Sequence, residues 1–402
     1  MNQNKTTLSA LPIFLAFLCM GFGDAVGPLV SLAKETFQLS NFVAQLITFS
    51  GFIMFGILSI PLGIFQDRRS KKYVLLLGLF VAFVGLMVPI FNGMYGPKVV
   101  LDADSNLKFY MLLIAVFLLG AGATILQVAG NPIMRDVVPA GKYSSYLSLG
   151  QSVKAIGSSL GFLLPPFVVA YFDMDWSILF PIYAFLILIT FLWTRSTKIV
   201  EIKDPESTPA SFKSSIKLLG NGYVFLMVFG IFLYVGAEVS MSSQVPILMR
   251  EAFGINELGL WLSWALFFLP IFLGRLVGSA ILRVMAANTF LKLTTILAVL
   301  GILMLLFGNM TIVFAGIILV GFGFANIFPL IFSIAIEHNP ARTNELSGLM
   351  VTAIVGGAFI PPLTGLVSDY AGLIAGFLVP MVCIIYIIGL AFFNTKLSKS
   401  LA

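Results

Sequence analysis

The sequence predicts an all-α membrane protein with twelve transmembrane helices in two pseudo-symmetric six-helix bundles, both termini facing the cytoplasm. Three observations predict it. Of 402 residues, 59% are hydrophobic and 10% charged, with a mean hydropathy of +1.05, which leaves too little polar surface for a soluble globule. Twelve apolar runs reach the roughly 20 residues that a helix needs to cross about 30 Å of hydrocarbon. The basic residues are strongly biased to one side of those runs.

The runs lie near residues 8–33, 42–66, 73–93, 108–138, 144–172, 176–195, 222–249, 257–283, 289–307, 312–337, 344–369 and 373–395. The first is too long for a secretory core and is interrupted by Asp24, so it reads as a retained span. With the N-terminus inside, seventeen Lys and Arg fall on the cytoplasmic side and four (Lys34, Lys98, Lys108 and Arg250) on the other. The two remaining cations, Lys154 and Arg275, fall within spans. This asymmetry accounts for a pI near 9.2 without nucleic-acid binding. Two cysteines, Cys19 and Cys383, both in apolar runs, support neither a disulfide framework nor a metal site.

The longest charged connection, residues 196–220, divides the spans six and six, predicting bundles at 1–195 and 221–402 joined by a cytoplasmic linker. The halves echo each other. Gly23-Asp24-Ala25-Val26 matches Gly236-Ala237-Glu238-Val239, and Lys34-Glu35-Thr36-Phe37 matches Arg250-Glu251-Ala252-Phe253. Lys154-Ala155-Ile156-Gly157 precedes Pro165-Pro166 as Thr352-Ala353-Ile354-Val355-Gly356 precedes Pro361-Pro362. Folds built from such repeats place their site near the midplane.

After the second span comes Gly63-Ile64-Phe65-Gln66-Asp67-Arg68-Arg69-Ser70-Lys71-Lys72. This resembles the loop between helices 2 and 3 of the major facilitator superfamily. The resemblance covers nearly the whole chain and implies the major facilitator fold and alternating access. It makes Gly63, Asp67, Arg68 and Lys71 a candidate cytoplasmic gate: glycine permits close helix contact, the carboxylate can bond a neighbouring helix end, and the cations form a latch. Arg275 joins them as a residue that snorkels or pairs with Glu337 or Asp369.

A narrower resemblance rests on Asp24 with Pro28, on Leu126-Gln127-Val128-Ala129-Gly130-Asn131-Pro132 and on Leu149-Gly150-Gln151-Ser152. These are similar to the fucose permease branch, bacterial proton-coupled sugar symporters whose relatives take up glucose, galactose or N-acetylglucosamine. The branch implicates a first-helix Asp, carried here by Asp24, and a fourth-helix Glu, where this chain has Gln127. Lys154 stands where the branch has a neutral polar residue.

A charge at bilayer depth is costly and rarely lacks a task or a partner. At 1.5 Å per residue, Asp24 lies roughly 21 Å from the cytoplasmic start of its helix, and Lys154, Gln127 and Asn326 roughly 15 Å from theirs. Asp24 and Lys154 can therefore pair if helices 1 and 5 are neighbours. Asp24 then carries the coupling proton, or Lys154 acts as a fixed cation in a uniporter, or Lys154 holds the carboxylate of a sugar acid; a purely structural pair is the fourth reading. Glu238, the repeat mate of Asp24, is expected to face the same cavity and bind sugar hydroxyls or take part in coupling, or else to bond locally to Ser242.

Sugar recognition calls for amides around an apolar ring face with aromatic walls. Gln127, Asn131, Gln151, Tyr234, Gln244, Trp264 and Asn326 are the candidate binding residues. His338, the single histidine, falls outside the spans, so a membrane proton relay must use carboxylates. No nucleophile motif, phosphate loop or intramembrane metal pattern points to catalysis or ATP driving. The expectation is a non-enzymatic, monomeric, multi-pass protein of the cell's inner membrane, with no cofactor beyond a coupling proton. Its partners would be a monosaccharide and the lipid bilayer, with no nucleic acid; a drug or metabolite exporter of the same fold is the rival class.

Overall fold

A computed structural model describes residues 3–99, 105–138, 143–201, 212–256, 258–282, 284–338 and 342–401. The first half comprises α1 (Gln3–Gly21), α2 (Val26–Thr36), α3 (Asn41–Arg68), α4 (Lys71–Phe91), α5 (Ser105–Val137), α6 (Tyr143–Phe172) and α7 (Leu179–Ser196). A short α8 (Phe212–Leu218) precedes α9 (Gly222–Glu251), α10 (Gly259–Ser263), α11 (Leu269–Ile281), α12 (Ala287–Phe307), α13 (Met310–Phe324), α14 (Ile327–His338), α15 (Thr343–Thr352), α16 (Gly356–Ala371) and α17 (Leu378–Leu401). Among the described residues these make 12 stretches long and apolar enough to cross a membrane, each overlapping one predicted run.

Several spans are broken, and proline accounts for the breaks in spans one and ten. Span one unwinds at residues 22–25, where Phe22, Gly23, Asp24 and Ala25 each donate to the carbonyl three residues back, at 3.1–3.3 Å. Pro28 has no N–H to offer the Asp24 carbonyl four residues earlier, and it fits the first turn of α2, where no such donor is needed. Span ten repeats the device at residues 325–326: Pro329 leaves the Ala325 carbonyl without its helical donor. Span eight holds a π turn at Trp264–Phe268 just before Pro270. Turns of this kind within helices recur at functional positions.

The chain forms two compact units. The first is Met1–Gln38 with Ser50–Phe212, and the second is Leu39–Phe49 with Lys213–Ala402. In the first unit α1 crosses α6 at two facing glycines. A Cβ on Gly21 would run into the Lys154 carbonyl, and one on Gly157 into the Leu18 carbonyl. Phe22 stacks on Tyr183 of α7 with centroids 3.9 Å apart, and the Cys19 thiol meets the Thr190 hydroxyl at 3.4 Å. Both cysteines are buried and unbridged.

At the cytoplasmic end the Glu201 carboxylate accepts from the Lys71 and Lys72 backbone amides, both at 2.9 Å, closing the start of α4. The Lys72 ammonium in turn donates to the carbonyls of Arg195 and Thr197 at the end of α7, at 2.9 and 2.8 Å.

The second unit is organised around α9. Its crossing with α16 uses the repeat-related glycines: a Cβ on Gly356 would meet the Phe232 carbonyl, and one on Gly236 the Ile360 side chain. The outer turns of α3 belong to this unit. The Asp369 carboxylate accepts from the Asn41 backbone amide, the Asn41 side chain and the Phe42 amide, all at 2.8 Å, capping α3 from a distant part of the chain. Below that cap, Gln45 donates to Ser243 at 2.9 Å, Gln244 to Ser368 at 3.2 Å and Thr364 to Ser240 at 3.0 Å. An apolar hollow of about 290 Å³ lies between Phe42, Phe49 and Phe359, and its lining includes none of the candidate site residues.

Candidate functional site

Two intramembrane carboxylates stand out by burial. From Cys19 to Ala33 every residue is buried except Asp24, and from Tyr234 to Met249 every residue is buried except Glu238. A lipid-facing helix would expose a stripe, with residues three and four positions away exposed as well. A single opening on a stretch otherwise covered all round is a side chain facing internal space.

In the first unit the close crossing of α1 and α6 sets the partners. The Lys154 ammonium lies 3.0 Å from the Asp24 carboxylate, the two side chains 17% and 32% exposed respectively. Ser158, one turn beyond Lys154, donates to Asp24 at 3.2 Å, and Lys154 also donates to the Gln127 amide oxygen at 3.4 Å. One rung away, Gln151 donates to the Asn131 amide oxygen at 3.4 Å. Gln127 and Asn131 are a turn apart on α5, as Gln151 and Lys154 are on α6, so the two rungs stack along facing helices. Asp24 sits just ahead of α2, whose positive N-terminal end favours the carboxylate. The sequence pointed to every member of this cluster except Ser158, whose spacing of four from Lys154 was the available signal.

The second unit departs further from expectation. Arg275 does not pair with Asp369, which is engaged by Asn41 and Phe42. Its guanidinium lies 3.5 Å from Glu238 and donates through Nε to the Ala325 carbonyl at 3.2 Å, the group that Pro329 leaves without a helical donor. Glu238 thus has an opposite charge from another helix. Depth was the overlooked signal, since Glu238 is 13 residues from the outer end of α9 at Glu251 and Arg275 is 16 residues below Gly259, where the antiparallel span eight begins, a difference of about one helical turn.

Two candidate binding residues here hold the backbone, and a third joins a side-chain seam. Tyr234, fully buried, donates to the Phe324 carbonyl at 2.9 Å, and Asn326, 5% exposed, donates to the Gly274 carbonyl at 2.8 Å. Gln244, also fully buried, belongs to the outer hydrogen-bonded seam with Ser368. Trp264 begins the π turn and is half-buried.

The gate candidates scatter. Gly63 does not serve close helix contact: a Cβ there would meet nothing within 4 Å. Lys71 pairs with Asp136 of α5 at 2.7 Å, inside the first unit. The side chains of Asp67, Arg68 and Glu337 lie outside the described residues. No group of three or more His, Cys, Asp or Glu able to hold a metal ion occurs among the described residues.

The model of the family described as Major Facilitator Superfamily matches residues 13–362. The chain belongs to this superfamily. It is 28% identical over 415 residues to a glucose/galactose transporter of Brucella abortus, covering 99% of this chain and 96% of that one. It is 24% identical over 398 residues to the L-fucose-proton symporter of Escherichia coli, covering 90% and 87%. Among solved structures, the major facilitator transporter FucP in its outward conformation superposes with a TM-score of 0.68 at 22% identity, covering 96% of this chain and 98% of that one. A mutant of the nucleoside transporter NupG gives 0.71 at 15% identity, covering 97% and 99%. These likenesses establish the major facilitator fold. The chain is a multi-pass membrane transporter of this superfamily and not an enzyme.

Proposed function

We propose that this transporter imports a neutral monosaccharide together with a proton, acting as a monomer whose six-helix halves are joined through residues 196–220, and that Asp24 carries the proton. The observation that carries the reading is the placement of Asp24: the one open position on Cys19–Ala33, at a helix break, 3.0 Å from Lys154. A carboxylate so placed is reachable by a proton, and its protonation removes the charge that holds Lys154. The ammonium then rests on Gln127, already 3.4 Å away, and the balance between conformations shifts. A ligand can move such an equilibrium only by binding its states unequally, and proton and sugar do so by changing and bridging the same rungs.

The amides of Gln127, Asn131 and Gln151 supply donors and acceptors for hydroxyl groups. A neutral substrate fits better than a sugar acid because each intramembrane cation, Lys154 and Arg275, already faces a carboxylate. The names of the relatives, a glucose/galactose transporter and a fucose-proton symporter, support the same substrate class.

The test is uptake of a labelled sugar panel into proteoliposomes with and without an inward proton gradient. Gradient-driven accumulation of a neutral hexose or deoxyhexose is expected. Uptake indifferent to the gradient favours a uniporter, transport of sugar acids alone moves the substrate to Lys154, and failure of every sugar favours an exporter.

A further inference from the structure

We infer that Glu238 and Arg275 form a diol-binding pair, gripping two neighbouring hydroxyl groups of the substrate and setting which stereoisomer is accepted. This rests on the monosaccharide reading and adds a specificity contact that the reading does not itself require.

Three observations carry it. Glu238 is the only opening along sixteen otherwise buried positions of α9, so its carboxylate faces internal space rather than lipid. Arg275 is 45% exposed on a face of α11 shared with exposed Phe272 and Leu276, while Gly274 and Gly278 pack against span ten, where a Cβ on Gly278 would strike the Asn326 side chain, and this packing turns the guanidinium toward Glu238. The guanidinium is also oriented before any ligand arrives: the Ala325 carbonyl fixes Nε at 3.2 Å, and that carbonyl is available because Pro329 cannot donate to it. Tyr234 on Phe324 and Asn326 on Gly274 hold the surrounding backbone in the same way.

The chemistry of the pair selects the ligand. The ion pair, 3.5 Å between the guanidinium and the carboxylate, sets an acceptor beside a planar edge of donors, so one ligand can address both groups. A hydroxyl group both donates and accepts. One hydroxyl of a vicinal diol gives its proton to the Glu238 carboxylate while the oxygen beside it accepts from the planar edge of Arg275. An anionic or cationic ligand gains from one partner and is repelled by the other. A diol presented in another stereochemistry reaches only one of the two. Sites built to bond a hydroxyl reject analogues lacking it by large factors, because their polar groups are left without the ligand partner.

The test is equilibrium binding to purified full-length protein in detergent, using the best monosaccharide of the uptake panel and its singly deoxygenated analogues. Variants are Arg275→Lys, Arg275→Gln, Glu238→Gln and the double Glu238→Gln/Arg275→Gln, which removes both charges together and so leaves no lone buried ion. In the unaltered protein, removing either of two adjacent hydroxyls is expected to weaken binding about tenfold or more. In the double variant the parent sugar binds about tenfold or more weakly, and those same two deletions then have little further effect. Arg275→Lys, which keeps the charge and loses the planar fork, weakens the parent sugar more than the two deoxy analogues.

Equal weakening of the parent and all analogues makes the pair a positioning element and overturns the inference, as does unchanged binding. Binding that follows the expected pattern while the proton gradient has no effect on uptake leaves the diol pair standing and removes proton coupling. A protein that binds no monosaccharide overturns both.

Discussion

The Asp24 carboxylate and the Lys154 ammonium stand 3.0 Å apart across a helix crossing so tight that neither Gly21 nor Gly157 has room for a Cβ. Backbone contact and ion pair are one arrangement: the glycines bring α1 against α6, and the charges close over the gap at the unwound turn. The pair also has a route to change state, because Ser158 and Gln127 are already bonded to its two ends.

Replacing Asp24 by Asn should abolish gradient-driven accumulation while leaving sugar binding and exchange across the membrane measurable. The amide keeps the shape and the Ser158 bond but cannot cycle a proton. Proteoliposome uptake and counterflow, run on the same preparation, separate the two activities. Unchanged accumulation would remove Asp24 from the coupling path.

Lys154→Ala leaves a partly buried carboxylate without its cation, and Asp24→Asn leaves the cation without its carboxylate. Each should lower thermal stability in detergent by about 1–2 kcal/mol, reduced from the full buried-pair figure because Asp24 is 32% exposed. The double variant Asp24→Asn/Lys154→Ala should be more stable than the sum of the singles. Strict additivity would show that the two groups do not interact.

The crossing glycines should tolerate almost nothing. Gly21→Val or Gly157→Val is expected to yield little folded protein, since each side chain would have to displace backbone atoms of the facing helix. Gly63→Val is the control. Open space surrounds that position, so the cost should be about that of an exposed helix substitution, well under 1 kcal/mol. Size-exclusion yield and thermal unfolding distinguish them.

Asp369→Ala removes the acceptor of three bonds at the start of α3 and should destabilise the protein by about 1–2 kcal/mol. Asp369→Asn should recover about half of that loss, since its single amide oxygen can still accept. A cysteine placed at Phe42 should react faster with a soluble thiol reagent in the Ala variant than in the native background. Equal rates would mean the cap does not hold the helix end.

The twelve spans, their order and the inside bias of the cations were legible in the chain because hydrophobic length and charge are local properties, read without knowing any neighbour. The Asp24 and Lys154 pairing was legible too, though at one remove. A fixed helical rise converts residue number into depth, and two opposite charges at compatible depth on adjacent helices have few other places to go.

Direction around the helix was not legible. Tyr234, Asn326 and Gln244 have suitable depth and chemistry for a sugar, yet two of them hold backbone carbonyls and the third joins a buried seam, because the packing turns those faces inward. Gly63 looked like a helix contact and faces open space. Arg275 looked like a gate partner for Asp369 and instead meets Glu238 and the Ala325 carbonyl.

The sequence by itself determined the class, the span order and the identity of the costly intramembrane charges, since water and lipid sort residues by composition along a line. Only the tertiary structure decided which charges meet and which faces open inward. Those depend on helix rotation and on close crossings at Gly21 with Gly157 and Gly236 with Gly356, where atoms from distant parts of the chain exclude one another.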